Sequence, residues 1–158
     1  MDEHWFGYNH RESNVIEDIM YCRSLVEQGF YVLRDTEDLL VYNSTYDQNT
    51  PSPMMITCVH HRFQKHVDYD HNKPEFSVSR YLVESRGKVL MVLREYSVGA
   101  IGRSTRMFRI FQMVETLPHG EAKASWVELQ ELQGRALFLS RGASRAVEVS
   151  RFIEVPRP

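Results

Sequence analysis

The chain of 158 residues fits one domain of ordinary size, and 42% apolar with 25% charged residues is a composition that folds. No run approaches the roughly 18 apolar residues of a membrane helix, and a net charge of −2 gives no electrostatic footprint for nucleic acid. These bounds predict a protein with neither a membrane nor a nucleic-acid partner.

The opening Met1-Asp2-Glu3-His4-Trp5 lacks a basic region followed by an apolar one, so an intracellular setting is expected, cytoplasmic or nuclear. In such a reducing compartment Cys22 and Cys58, which form no C-x-x-C pair, are expected as two buried thiols. Charge is uneven along the chain. Residues 1–98 hold 10 Lys or Arg against 15 Asp or Glu, and residues 99–158 hold 9 against 6. Fifteen of the nineteen basic residues are Arg, spread rather than clustered, which reads as a solvated surface.

Residues 1–14 mix Trp5, Phe6 and Tyr8 with polar groups at no clear period, an irregular lead-in. Val15 to Val26 fits either a short amphipathic helix or a strand ending near Tyr21. Phe30 to Tyr42 reads as a hairpin turning on Asp35 to Asp38. Asn43 to Pro53 is a loop by composition, Met54 to Val59 a strand, and the His-rich segment from His60 to Pro74 an exposed excursion. Glu75 to Tyr81 alternates and leads into a second hairpin, Tyr81 to Leu93, around Ser85-Arg86-Gly87, where Gly87 supplies the positive φ of a tight turn. Ser97 to Ser104, with two glycines, reads as a loop, followed by a strand from Thr105 to Val114. Trp126 to Leu129 and Arg135 to Leu139 read as strands joined by a turn at Leu132 and Gly134. Arg141 to Arg145 reads as an exposed connecting turn, Ala146 to Val155 as a final partial strand, and 156–158 as a tail.

Strand-like runs recurring every eight to fifteen residues make the chain all-β. Tyr31-Val32-Leu33 and Tyr81-Leu82-Val83 lie fifty residues apart, each eight residues before another apolar run, as in propeller blades of about 40 to 50 residues.

Together the runs Phe30 to Tyr42, Tyr81 to Arg94, Phe108 to Phe111 and Trp126-Val127-Glu128 with Gly134-Arg135-Ala136-Leu137-Phe138-Leu139 resemble the plant KIB-type β-propeller domain over about Val15 to Arg151. The resemblance implies a kelch-like fold, here a partial propeller of about three blades over 15–155, that binds another protein. In members carrying an F-box, that module docks to a Skp-type adaptor of a cullin ubiquitin ligase. The stretch before Val15 is too short for an F-box, so adaptor binding is not expected. The propeller is expected to be cut short at both ends, with a truncated product of little independent function as the alternative.

Chemistry is sparse. Cys58, His60, His61, His66 and His71, with Asp68 and Asp70, form the one cluster of metal-ligating types. Their spacings match no zinc pattern, and a strand would send His60 and His61 to opposite faces, so a polar loop is expected and metal binding is the alternative. Gly99-Ala100-Ile101-Gly102-Arg103-Ser104 lacks the spacing of a phosphate loop. No nucleophile elbow or paired-carboxylate setting appears, so neither an enzyme nor a cofactor is expected. Trp126 and Phe138 are expected in packing, and Arg135 as an outward strand residue.

Overall fold

The computed structural model describes residues 15–23, 28–45, 55–63, 76–99, 102–116 and 123–149. Among them are ten strands and no helix. β1 (Ile16–Arg23), β2 (Gln28–Arg34), β3 (Leu39–Thr45) and β4 (Met55–His61) form one antiparallel meander. β5 (Phe76–Ser85), β6 (Lys88–Gly99), β7 (Gly102–Thr116) and β8 (Lys123–Leu129) form a second. β9 (Arg135–Phe138) and β10 (Arg145–Glu148) pair as a hairpin. Four-stranded meanders stacked face to face are how propeller blades pack, and the all-β expectation holds.

The β5–β6 turn is the plainest case of local sequence dictating structure. Ser85 pairs with Lys88, leaving Arg86 and Gly87 as a two-residue loop with φ of 53° and 69°. Positive φ at both central residues is the type I′ turn, whose twist matches that of the flanking strands. The β2–β3 turn is longer. Glu37 N–H donates to the Arg34 carbonyl at 2.9 Å, and Glu37 itself sits at φ 70°. A left-handed conformation disfavours a non-glycine residue by roughly 1–2 kcal/mol, so Glu37 must be held there by contacts elsewhere.

Those contacts lie in the core between the two sheets. Alternation along β1 to β3 points Cys22, Tyr31, Leu33, Leu39 and Val41 at the second sheet, where they meet Leu82, Met91, Leu93, Phe111 and Trp126. Phe63, just beyond β4, stacks on Trp126 with ring centroids 4.8 Å apart. Within this apolar layer the Glu37 carboxylate is fully buried and accepts from Arg80 Nη2 at 3.1 Å, while the Glu37 carbonyl accepts from Trp126 Nε1 at 2.9 Å. Removing one partner of such a buried pair typically costs about 3–5 kcal/mol, because the other charge is left without compensation. The loop strain at Glu37 is thereby offset by the interface it serves.

A second carboxylate joins all three sheets. Asp18 on β1 accepts from its neighbour Ile19 N–H at 2.9 Å, from Leu82 N–H on β5 at 2.7 Å and from Gly142 N–H in the β9–β10 turn at 2.6 Å. Beside it Glu17 lies 3.6 Å from Arg80 and 3.5 Å from Arg141. The Arg141 to Arg145 turn therefore does more than connect strands, since it docks on β1. The second face of the middle sheet, with Val83, Leu90 and Val92, is covered by Leu137, Leu139 and Ala146 of the hairpin region.

Several expectations need correction. The fifty-residue echo is real as a pattern but out of phase: Tyr31 lies on β2, the second strand of its sheet, and Tyr81 on β5, the first of the next. The sheets begin at Ile16, Phe76 and Arg135, a repeat of 60 and then 59 residues. Trp126 to Phe138 is accordingly not one unit, because Trp126 pairs with Met113 in the second sheet and Phe138 with Arg145 in the hairpin. Phe138 is 64% exposed rather than packed, being on the hairpin face turned away from Leu137. Arg135 is buried instead of outward, donating to the Leu132 carbonyl at 2.6 Å and Ser85 Oγ at 3.1 Å. Cys58 is exposed whereas Cys22 is buried, and no disulfide joins them. The Ser97 to Ser104 segment is mostly strand, since β6 runs to Gly99 and β7 starts at Gly102. Val15 to Val26 resolves as a strand over Ile16–Arg23. Residues 64–75 lie outside the described residues, as does the tail after residue 149.

A Cβ at Gly87 would meet no atom within 4 Å, so the penalty for a side chain there is conformational alone. Gly87→Val is expected to lower stability by about 1–2 kcal/mol, read as a lower urea midpoint; an unchanged midpoint would contradict the turn.

Candidate functional site

The metal-ligating candidates that fall among the described residues do not converge. On β4, Cys58 and His60 pair with Tyr42 and Leu40 and share the sheet face turned away from the middle sheet, while His61 pairs with Leu39 on the other face. His60 Nε2 lies 3.4 Å from Asp38 Oδ2, and the His61 ring is 6.5 Å from that of Phe63. No group of three His, Cys, Asp or Glu among the described residues is placed to hold a metal. His66 and His71 lie outside them. Gly134 sits at φ 77° before β9 and its carbonyl accepts from Val149 N–H at 2.8 Å, a turn that closes the hairpin.

Two surfaces stand out instead. The first is the outward face of the β1–β4 sheet, where Tyr21 and Phe30 pair across strands with ring centroids 5.0 Å apart. With Gln28, Gly29 and Tyr42 they line a cleft of about 140 Å³. A side chain at Gly29 would collide with Asn43 Oδ1 and the Tyr42 carbonyl, so glycine lets β2 and β3 close at the cleft floor.

The second surface is the outer part of the β6–β7 hairpin, and it is built from charge as well as rings. Alternation along β6 puts Leu90, Val92, Arg94, Tyr96 and Val98 on one face. The inner two are covered by the β9–β10 hairpin; of the outer three, Arg94 is half-buried, Tyr96 is buried and Val98 is exposed. On β7, Ile110 and Phe108 pair with Val92 and Arg94, but Thr105 pairs with Tyr96 and Arg103 with Val98. Phe108 and Thr105 are an odd number of residues apart and would face opposite ways on a regular strand. A register shift opposite Glu95 and Tyr96 leaves Arg106 as an extra residue, which turns Thr105 and Arg103 onto the face of Phe108.

The result is a ladder in which guanidinium and ring alternate. Arg94 lies over Phe108 and over Tyr96, each at 6.0 Å, and Arg103 lies over Tyr96 at 4.9 Å. Arg94 Nε donates to Thr105 Oγ1 at 2.9 Å, which fixes its plane. Stacking of this kind is worth about 0.5–1 kcal/mol at exposed sites. Phe108 is 51% exposed and Val98 47%, whereas the Tyr96 ring between them is buried. The sequence carried a signal for this ladder in Arg94-x-Tyr96-x-Val98, a period of two, but the bulge that completes it leaves no mark in composition.

Such a surface offers no nucleophile with a base beside it. It offers planar cations, aromatic faces and half-exposed apolar groups, the means of binding another macromolecule. The model of the KIB1-4 β-propeller family matches residues 1–156. The chain belongs to that family. No curated protein and no solved structure matches it. In this KIB1-4 β-propeller, then, the stacked four-stranded sheets are blades, and the ladder lies on the outer half of the middle one.

The ladder has one titrating ring. The Tyr96 hydroxyl is held below the ordinary tyrosine value of 10, chiefly by hydrogen bonding to Ser77, with Ser79 and the Arg103 charge adding to the effect. A lowered pKa favours the ionised form in the folded state, so this group adds stability as pH rises through its folded pKa and retains it above the unfolded value. The ultraviolet difference titration of wild type against Tyr96→Phe is expected to show a midpoint below 10; a midpoint at or above it would contradict the geometry around the ring.

Proposed function

We propose that the chain is a non-catalytic protein-recognition module, with the Arg94–Tyr96–Arg103–Phe108 face as its principal contact surface and an intracellular partner, cytoplasmic or nuclear. The observation that carries this reading is the ladder itself: two guanidinium groups placed over rings at 4.9 to 6.0 Å, with Arg103, Phe108 and Val98 exposed at its surface. Arg and aromatic residues dominate the energetic centres of protein interfaces because they bring contact area and directed donors at modest entropic cost. Membership of a propeller family agrees with an interaction scaffold. Neither the ladder nor the cleft at Tyr21 presents a general base within reach of a nucleophile, and binding is the role their chemistry suits.

Pull-down with mass spectrometry on wild type, Phe108→Ser and Tyr21→Ser separates the two surfaces. The expected result is a set of proteins retained by wild type and by Tyr21→Ser but lost with Phe108→Ser. Identical sets for all three would overturn the assignment to the ladder.

A further inference from the structure

Several arginines of this chain are matched to acids. Arg34, Arg80, Arg86, Arg109 and Arg141 each lie within 4.0 Å of a carboxylate. Some of these pairs are built as forks: Arg86 donates through Nε and Nη2 to the two oxygens of Glu148, both at 2.7 Å, and Arg109 does the same to Glu128 at 2.8 and 2.7 Å. Arg94 and Arg103 have no carboxylate at ion-pair distance among the described residues, although the chain holds more acidic residues than basic ones. Their strip contains none, the nearest influence being Glu17 of β1, whose charge acts on the Tyr96 hydroxyl. Along β6 and β7 the shared face reads Arg94, Tyr96, Val98, Arg103, Thr105 and Phe108, and the nearby Glu95 pairs with Met107 on the opposite face.

We infer that the ladder binds an extended acidic segment of a partner protein, its carboxylates pairing with Arg94 and Arg103 and an apolar side chain lying against the exposed Val98 and Phe108. This deepens the protein-recognition reading and rests on it. The geometry sets the spacing. Arg103 stands opposite Val98, four residues along β6 from Arg94, about 13 Å between backbone positions. Both side chains lean onto the Tyr96 ring, at 6.0 and 4.9 Å, which brings their guanidinium groups closer than that. Carboxylates at positions i and i+4 of an extended segment, leaning inward as the two arginines do, reach both groups, and the residue at i+2 points at the same face. Thr105 Oγ1 accepts from both Nε and Nη2 of Arg94, which holds that guanidinium in place and leaves its Nη1 side for a carboxylate, so less side-chain entropy is lost on binding. A nucleic-acid strand fits less well. It rewards many cations along a groove, and this strip has two.

The test is selection of a displayed library of random twelve-residue peptides on the full chain, followed by binding of the synthetic consensus peptide by fluorescence anisotropy. The expected result is enrichment of Asp or Glu at i and i+4 with an apolar residue between. Affinity should fall at least about tenfold with Arg94→Glu or Arg103→Glu, as for loss of one interfacial charge pair, and fall as salt is raised. Arg103 is exposed, so its variant should fold, as circular dichroism would verify; replacing one peptide acid by Lys should then restore binding to Arg103→Glu. Neutral or basic consensus peptides that require Phe108 would overturn the acidic partner while leaving protein recognition standing. An acidic peptide indifferent to both charge reversals, no peptide sensitive to the ladder, or tight Arg103-dependent binding of a single-stranded oligonucleotide would overturn the inference.

Discussion

One carboxylate joins the three sheets. Asp18 lies buried on β1 and its oxygens accept backbone N–H groups from β1 itself, from β5 and from the β9–β10 turn. A charge taken out of water is tolerated only when hydrogen bonds replace its hydration, and three backbone donors do this here. Leu82 N–H and Gly142 N–H find their acceptor in another sheet, so the bonds that satisfy Asp18 also fix how the sheets meet. Glu37 repeats the device further out, pairing with Arg80 through its side chain and with Trp126 through its carbonyl. The apolar layer supplies most of the driving force, and the buried acids fix the register in which it packs.

This division of labour explains where the surface chemistry ends up. Toward the inter-blade core, acids and arginines are matched, as in Glu17 with Arg80 and Arg141. Past the edge of the β9–β10 hairpin the same middle blade continues as long strands whose face carries arginines matched to rings instead. A single bulge at Arg106 changes which β7 residues share that face. Without it Arg103 and Thr105 would turn away from Phe108, Arg106 would take their face, and the ladder would lose the hydroxyl that orients Arg94.

The hairpins were legible because their signals are local. Gly87 after Arg86, and the polar run Arg34 to Asp38 between apolar runs, announce turns that residue type alone decides. The blade phase was not legible, because apolar runs at Tyr31 and Tyr81 look alike although one belongs to a second strand and the other to a first. The Ser97 to Ser104 stretch misled by composition: small polar residues and two glycines are also what an exposed strand end contains, and Ser97 pairs there with Ser104. Asp18, Glu37 and Arg135 escaped for a common reason. Their burial depends on partners 43 to 124 residues away in sequence, which no local pattern encodes. Phe138 failed in the opposite sense, since an aromatic on a strand says nothing of which face a neighbouring sheet covers.

The most direct test is amide hydrogen exchange in Asp18→Ala. Loss of a buried, charge-assisted acceptor is expected to lower stability by on the order of 3 kcal/mol. It should also raise exchange at Leu82 and Gly142 well beyond the increase at Val92, whose strand neighbours are unchanged. Equal increases at all three amides, or none at Leu82 and Gly142, would contradict the claim that this carboxylate ties the blades together.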